Sequence, residues 1–520
     1  MSAASSRPQN IGDVIAFLLR DTDPPSWPAD AFAVAASLLK QSGAYTEITQ
    51  NWPPARFRTL ERWQEQAVRV RTQWRSRFNR GNESPPRQIA RWWRTIADAS
   101  ALPVAEIRER PDLIEALIGV VAGADQTCYG VGILEANQDA FDDYAIFLLT
   151  LRNTLCERVD PSRAVVLPKL HNPLDGTTLR SLTHNLAFWD RPEVQPIWSQ
   201  LTLPSLSTDM KMLVLPWPLA VNPGAISEVR NGTGQQMPGR FGHFTYTASK
   251  TPGLAARVKM ILQQAVSLVG NVDAVVFPEL SLSPADFERV RRVLGERILI
   301  AGVGSAASPS AVGENNAAVG VASDFGGFYH QSKHHRWRLD RAQLRQYGIG
   351  VGFSDCDSWW EAIRLMPRRC AFFAAKDWLT FCVLICEDLA RQDPVAELVR
   401  CVGPNLVVAL LMDGPQIPER WSARYATVLA DDPRSSVLSL TCAGLVDLAR
   451  SQYGGGPRSV GLWKDAFSSA RQLALEPGAE GLVLTLQSEM RTEWTLDGRH
   501  DDGSTGYLLL RGVHQVYPTA

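Results

Sequence analysis

Three residues whose side chains could carry out nucleophilic catalysis lie in the second half of the chain. Cys386 closes the apolar run WLTFCVLIC, and Glu279 follows the apolar run DAVVFP. Lys333 follows the Gly-Gly turn of FGGFYHQSK, 54 residues after Glu279 and 53 before Cys386. In α/β proteins, the carboxyl ends of strands open on the crevice that binds ligands. This order predicts a thiol, a carboxylate and an amine in one cavity.

Each of these residues also has an ordinary structural explanation. A cysteine within a strand is usually a small buried hydrophobe, and most glutamates are solvated. The segment SKHHR around Lys333 would then be a basic cluster on an exposed face. Lysine is scarce in this chain, however, with 8 lysines against 45 arginines. A lysine between two strand-end residues is therefore a more specific signal than usual.

Length, charge and cysteine spacing exclude several classes of protein. A chain of 520 residues is too long for one ordinary core and indicates about two to four domains. The net charge of −1 gives no global reason to expect a polyanion or a membrane as partner. Because we find neither a secretory signal nor a long apolar segment, we expect a cytoplasmic protein. The eight cysteines lack C-x-x-C pairs and matching histidines, so we expect no metal and no disulfide framework.

The pattern of apolar residues changes along the chain. Helical spacing dominates residues 1–160 and predicts an all-α N-terminal domain. Residues 161–207 are irregular and are predicted to form a connector packed on the next domain. From 208 to 520, short runs of Val, Ile and Leu alternate with helical segments, which predicts an α/β domain. The predicted strands cover residues 211–221, 273–280, 297–305, 316–323, 378–386, 405–413, 435–444 and 480–487.

The order of the motifs resembles the nitrilase superfamily, the carbon–nitrogen hydrolases with a Glu-Lys-Cys triad. FPEL at 277–280 is similar to the glutamate motif of the family, SKHH at 332–335 to its lysine motif, and LICEDL at 384–389 to its cysteine motif. The resemblance extends over about residues 208–490. It implies an αββα sandwich, an amide or nitrile as small-molecule substrate, and a homo-oligomer formed through this domain.

The resemblance also implies a role for each residue of the triad. Glu279 would accept the thiol proton, because a free cysteine has a pKa near ~8.5 and is mostly neutral at pH 7. Lys333 and the backbone N–H of Glu387 would stabilise the negative charge of the tetrahedral intermediate. A thioester on Cys386 would follow. This scheme requires neither a metal nor an organic cofactor.

The resemblance is incomplete at one position. Many family members carry a second glutamate after the lysine, where it hydrogen-bonds the lysine or positions substrate. The equivalent region is RLDRAQLRQYGIG, and we expect Asp340 or Gln343 to stand in, without a basis for choosing between them. The gap supports a second hypothesis, a nitrilase-fold sensor or scaffold without turnover. Such a protein could belong to a bacterial defence system that acts with a nucleic-acid enzyme.

The N-terminal half offers weaker signals. Residues 56–94 are rich in arginine and tryptophan and could contact nucleic acid. Their aromatic residues fall near one helical face, which favours a core-facing helix and makes nucleic acid an unexpected partner. The helical domain would instead recruit a protein partner or restrict substrate access. The segment holding His171, Arg180 and His184 could serve recognition or domain docking, although such histidines more often pack structurally.

Overall fold

The computed structural model describes residues 9–48, 52–133, 139–171, 176–202, 209–229, 240–248, 251–308, 311–323, 327–501 and 505–518. The chain forms two compact units. Unit 1 comprises Met1–Gln200, Leu398–Pro404 and Met490–Gly506. Unit 2 comprises Leu201–Glu397, Asn405–Glu489 and Tyr507–Ala520. The boundary predicted between residues 207 and 208 lies outside the described residues.

Unit 1 begins with helices and continues with short strands. Its helices are α1 (Ile11–Leu19), α2 (Pro28–Ser42), α3 (Leu60–Phe78), α4 (Arg87–Asp98), α5 (Pro111–Thr127) and α6 (Ala140–Arg152). Three strands follow, β1 (Val165–Pro168), β2 (Leu186–Trp189) and β3 (Gln195–Gln200). Strands β1 and β2 pair in antiparallel orientation.

Helices α3 and α4 of unit 1 bury their tryptophans. In α3, Trp63, Val70 and Trp74 recur at helical spacing and are buried. Trp92 and Trp93 of α4 are also buried. The tryptophans of residues 56–94 therefore form the inner face of these helices. Among the described residues, no helix is both long and apolar enough to cross a membrane.

Unit 2 contains most of the strands. They are β4 (Asp209–Val214), β5 (Ile226–Glu228), β6 (Phe241–Tyr246), β7 (Ala274–Leu282), β8 (Ile298–Ser305), β9 (Glu314–Val321), β10 (Tyr329–Ser332), β11 (Arg338–Asp340), β12 (Ser358–Glu361), β13 (Arg369–Lys376), β14 (Leu379–Ile385), β15 (Leu406–Leu410), β16 (Ser436–Leu440), β17 (Ser459–Lys464), β18 (Arg471–Ala474), β19 (Gly481–Arg491) and β20 (Thr505–Val516). The helices are α7 (Leu254–Val269), α8 (Pro284–Leu294), α9 (Arg341–Tyr347), α10 (Glu387–Ala390), α12 (Trp421–Asp431) and α13 (Ala443–Tyr453). Helix α11 (Glu397–Val402) belongs to unit 1 from Leu398 onward. The chain is thus of mixed α/β class, as predicted.

Two large sheets face each other in unit 2. One has the strand order β10-β9-β8-β7-β4-β19-β20, and the other contains β18-β17-β16-β15-β14-β13. Strands β7 and β9 of the first sheet contact β15 and β14 of the second. Helices α7 and α8 lie on the first sheet, and α12 and α13 on the second. A small sheet, β11-β12-β6-β5, completes the unit.

The sequence explains why these layers form. Helix α7 buries Leu254, Val258 and Ile261 at three- and four-residue spacing. Gly253 and Gly270, both with positive φ, flank the helix at its two ends. Strand β14 is buried at every position, as expected for a strand covered on both faces. Because β14 and β15 run parallel with Ile385 opposite Leu410, the residues that follow both strands emerge at the same edge.

Candidate active site

Cys386 lies at the turn between β14 and the short helix α10. Its backbone has φ 47° and ψ −108°, a conformation that residues with a side chain rarely adopt. Its N–H donates to the carbonyl of Leu410 at 2.9 Å, which fixes the turn to the neighbouring strand. The residue is only 3% exposed. Such local backbone strain often occurs at functional sites and motivates a functional hypothesis for this thiol.

Glu279 is positioned by an irregularity in β7. The register of β7 against β8 shifts around Glu279, and the next residue, Leu280, has φ 52°. Gly302 of β8 lies directly against this bulge. A Cβ at Gly302 would be 2.2 Å from the carbonyl oxygen of Pro278 and 2.5 Å from the Cα of Glu279. Only glycine leaves room here, so β8 helps to fix the direction of the buried Glu279 side chain.

Lys333 lies between two carboxylates. It follows β10, and its backbone N–H donates to the carbonyl of Asn315 at 2.9 Å. Its Nζ donates to Oε1 of Glu279 at 2.7 Å and to Oε2 of Glu361 at 2.7 Å. All three charged side chains are buried. The structure therefore brings together two residues that the sequence predicted and one that it did not.

Asn315 completes this cluster from β9. Its Nδ2 donates to Oε1 of Glu279 and to Oε1 of Glu361, each at 2.8 Å. The backbone N–H of Trp337 donates to Oε2 of Glu361 at 3.1 Å. Because several donors engage the two carboxylates, their positions are set before any ligand arrives.

Asp388, two residues after Cys386, ties the cysteine turn to the lysine segment. Its buried carboxylate accepts hydrogen bonds from the backbone N–H groups of His334 and His335, at distances between 3.0 and 3.1 Å. It also lies 3.0 Å from Nδ1 of His335. Charge-assisted bonds of this kind are stronger than neutral ones. The loops that carry Cys386 and Lys333 are thus held together by a side chain adjacent to the site.

Burial and charge shift the proton affinities of the cluster. Burial raises the pKa of Glu279 above its ordinary 4.5, while the charge of Lys333 opposes this shift and that of Glu361 adds to it. For Lys333, burial lowers the pKa, but the two carboxylates outweigh burial and the net pKa is well above the ordinary value. Burial raises the pKa of the Cys386 thiol well above its ordinary value, Glu279 adds to this shift and Lys333 opposes it. At neutral pH, the thiol is protonated and the amine is charged.

The structure corrects the expectation that Asp340 or Gln343 replaces the second glutamate. Asp340 caps helix α9: its Oδ1 accepts from the N–H of Gln343 at 2.8 Å, and Oε1 of Gln343 accepts from the N–H of Asp340 at 3.0 Å. This reciprocal capping box occupies both side chains locally. The second carboxylate on Lys333 belongs to Glu361. One signal in the sequence could have identified it. Glu361 ends the short run SWWE, just as Glu279 follows the apolar run DAVVFP.

Glu387 begins helix α10 directly after the cysteine. Its carboxylate pairs with Nη2 of Arg391 at 2.9 Å, one helical turn further along. Its backbone N–H belongs to the first turn of the helix, where amide groups have no partner within the helix. The main-chain N–H of Glu387 is the group that the sequence predicts as an oxyanion donor, and this role stays a prediction.

Asp413 is a further acid near the thiol that sequence reasoning missed. It follows β15, and its charge contributes to raising the pKa of Cys386. Its carboxylate accepts hydrogen bonds from the hydroxyl of Tyr347 at 2.5 Å, from Nη2 of Arg420 at 2.6 Å and from Nε1 of Trp421 at 3.0 Å. These contacts link helices α9 and α12 beside the candidate site. The strand-end signal that identified Cys386 applies equally to Asp413.

Comparisons with known proteins identify similar structures but no similar sequences. No family model and no curated protein matches the chain. Three similar solved structures have TM-scores of 0.30 to 0.31.

Two of these structures are matched over most of their length. The carbon–nitrogen hydrolase of Helicobacter pylori is 13% identical, and the match covers 51% of this chain and 86% of that one. Nit3 of Saccharomyces cerevisiae, a member of branch 10 of the nitrilase superfamily, is 12% identical, with 60% and 92% covered. The third is the glutamine-dependent NAD+ synthetase of Acinetobacter baumannii, 14% identical over 53% of this chain. The match spans only 45% of that synthetase.

Proposed function

We propose that the chain hydrolyses a non-peptide carbon–nitrogen bond, in an amide or a nitrile, through a thioester on Cys386. The observation that carries this proposal is the position of Lys333, with Glu279 and Glu361 each 2.7 Å from its Nζ. Burying an amine and two acids costs desolvation free energy, and buried titratable clusters of this kind concentrate at functional sites. The charge of Glu279 raises the pKa of the Cys386 thiol, and the charge of Lys333 lowers it.

With an amide as substrate, the first half of the reaction forms the acyl-enzyme directly. A nitrile would first give a thioimidate on Cys386, and one water molecule would add to its carbon before ammonia leaves and the thioester forms. Glu279, whose pKa is raised by burial, accepts the thiol proton as sulfur attacks the substrate carbonyl. Negative charge develops on the carbonyl oxygen, where Lys333 and the N–H of Glu387 stabilise it. Glu279 then returns the proton to the substrate nitrogen. The carbon–nitrogen bond breaks, ammonia or an amine leaves, and a thioester remains on Cys386.

The second half of the reaction uses the same groups. Glu279 accepts a proton from water as the water oxygen attacks the thioester carbonyl. The carbon–sulfur bond breaks, Cys386 regains a proton and the carboxylic acid is released. Glu361 supports both halves, since its hydrogen bond keeps the amine of Lys333 in place and protonated. No step requires a metal or an organic cofactor.

The layers of unit 2 support an αββα sandwich as the frame of this site. Helices cover the outer face of each large sheet, and the strands of the two sheets contact each other. The competing hypothesis, a sensor or scaffold without turnover, was motivated by the lack of a second glutamate. Glu361 places a second carboxylate 2.7 Å from Nζ of Lys333, so the lack of a second glutamate is no longer an argument for a sensor or scaffold.

Mass spectrometry of the full chain with pools of amides and nitriles tests the proposal. We expect an acyl adduct on Cys386 and release of ammonia or amine, and we expect Cys386→Ala to abolish both. Cys356→Ala is the matched control, because Cys356 is a more exposed thiol of the same unit. An adduct on Cys356 alone, or turnover that survives in Cys386→Ala, would contradict the proposed function.

A further inference from the structure

A second cluster of chemically capable side chains lies within unit 1. It joins His184, just before β2, to Glu493 and Asp501 of the segment 490–506. One ring nitrogen of His184 and one carboxylate oxygen of each acid all lie within 4.8 Å of one another. His184 and Glu493 are buried, and Asp501 is half-buried. Residues more than 300 positions apart in the chain thus converge on one point.

His184 has a buried nitrogen without a partner. The residue is 7% exposed. Its Nε2 lies 3.3 Å from the carbonyl oxygen of Arg499, but its Nδ1 has no hydrogen-bond partner among the described residues. An unpaired buried nitrogen costs free energy. Histidines that bind metal ions typically donate one ring N–H to a carbonyl or carboxylate and bind the ion through the other nitrogen.

The two carboxylates are held in position by neighbouring groups. Oδ1 of Asp501 accepts the backbone N–H of Glu493 at 2.8 Å, and the hydroxyl of Thr505 donates to Oδ2 of Asp501. Oε1 of Glu493 lies 3.2 Å from Nδ1 of His171, which orients this carboxylate from behind. Because Asp501 is half-buried, an ion could reach the cluster from solvent.

We propose that His184, Glu493 and Asp501 bind one divalent transition-metal ion of the Zn²⁺ type. One imidazole and two carboxylates match the ligands of Zn²⁺ better than those of Mg²⁺ or Ca²⁺, which prefer oxygen alone. The ion would tie the segment 490–506 to the connector ahead of β2. The expectation of no metal rested on cysteine spacing, and this set of ligands contains no cysteine.

Neighbouring cations have partners of their own. Nη1 of Arg499 donates to Asp125 at 2.8 Å and its Nε donates to Asp497 at 2.9 Å, so two other carboxylates match its charge. Nζ of Lys169 donates to the carbonyl of Thr183 at 2.6 Å.

Equilibrium dialysis of the untagged full chain against Zn²⁺ alone tests this site. The experiment uses a Cys386→Ala background, so that the active-site thiol contributes no binding. We expect one tightly bound Zn²⁺ per chain and a higher melting temperature with the ion. Asp501→Asn keeps the Oδ1 acceptor for Glu493 but removes the charge, and it should weaken binding about tenfold or more.

Two further variants keep the test decisive. His184→Gln should also weaken Zn²⁺ binding about tenfold or more, with circular dichroism confirming that each variant folds. His514→Gln is the control, because His514 is exposed on β20 and should leave binding unchanged. The proposal fails if the chain that carries only Cys386→Ala binds no Zn²⁺. That result would mean that neighbouring cations already neutralise the charges of Glu493 and Asp501. It also fails if Asp501→Asn and His184→Gln bind as tightly as the parent.

Discussion

At the scale of single residues, the buried cluster of the candidate site joins Glu279, Lys333, Glu361 and Asn315 by hydrogen bonds. The sequence pointed to Glu279 and Cys386 because each ends an apolar run. Both are buried, Glu279 within β7 and Cys386 directly after β14. Asp340 and Gln343 were misassigned, although D-x-x-Q is the signature of a helix cap. Their side chains satisfy each other locally. Glu361 was missed, and its contact with Lys333 identifies it.

Replacement of Glu361 by glutamine tests the role of this acid. The charge of Glu361 contributes to raising the pKa of Glu279, so Glu361→Gln should lower that pKa. Because the base must be deprotonated, the acidic limb of kcat/KM against pH should move to lower pH. The maximum should also fall, by roughly tenfold to a hundredfold, as Lys333 loses one of its two acids.

Asp340→Asn is the matched control for this experiment. Asp340 accepts from Gln343 in the cap of α9, and the change removes a carboxylate at some cost to the helix alone. The dependence of kcat/KM on pH should be the same in Asp340→Asn as in the unmodified protein. A shift in the Asp340 variant together with an unmoved profile in Glu361→Gln would show that Asp340, and not Glu361, acts on the base.

At the scale of elements, buried strands were predictable and exposed or aromatic ones were not. The runs at 297–305 and 378–386 match β8 and β14 to within one residue at each end. Strand β12, which carries Glu361, was missed because SWWE is too short to show an alternating pattern. The bulge in β7 was also not foreseen, since it depends on the glycine opposite it. Element existence thus follows from composition, whereas local irregularity follows from the neighbouring strand.

Replacement of Gly302 by alanine tests how β8 positions the base. The new Cβ would be 2.2 Å from a backbone oxygen and 2.5 Å from the Cα of Glu279, so the bulge must move. We expect Gly302→Ala to lower kcat by about a hundredfold, as small displacements of reacting groups do. The cost in free energy of unfolding should be about 1–3 kcal/mol.

Gly512→Ala provides the control for this change. Gly512 lies in β20, where a Cβ would come no closer than 3.2 Å, to the flexible side chain of His514. Steady-state kinetics and chemical denaturation of both variants separate the two effects. If Gly302→Ala retained the full kcat of the parent, the close approach of β8 would have no part in placing Glu279.

At the scale of the whole molecule, segments distant in sequence form unit 1. Residues Leu398–Pro404 and Met490–Gly506 join the N-terminal 200 residues. Arg499 is fully buried there and binds Asp125, Asp497 and the carbonyl of Leu182. Helical periodicity predicted the helices of this unit but gave no sign that a late segment would complete it.

Replacement of Arg499 by methionine measures how much this late segment contributes to the free energy of unfolding. The change leaves Asp125 and Asp497 buried without their shared cation, which should cost about 3–5 kcal/mol. Urea denaturation followed by circular dichroism should show a lower midpoint. Arg511→Met, which removes an exposed ion pair with Glu489 on the surface, should change stability by less than about 1 kcal/mol. Equal midpoints for the two variants would contradict a stabilising role for Arg499.

By itself, the sequence determined the mixed α/β class of the fold, and it predicted which thiol, amine and first acid are candidates for the site. These depend on short-range patterns: apolar runs make strands, and polar residues that follow them emerge at the sheet edge. Only the tertiary structure decided that Glu361 and Asn315 complete the cluster, and that Asp388 joins the two loops. Those contacts depend on how the sheets stack and on which residues their registers bring opposite each other. Periodicity within one strand indicates which side chains face the core, but it does not indicate which strand lies next to it or which residue lies opposite.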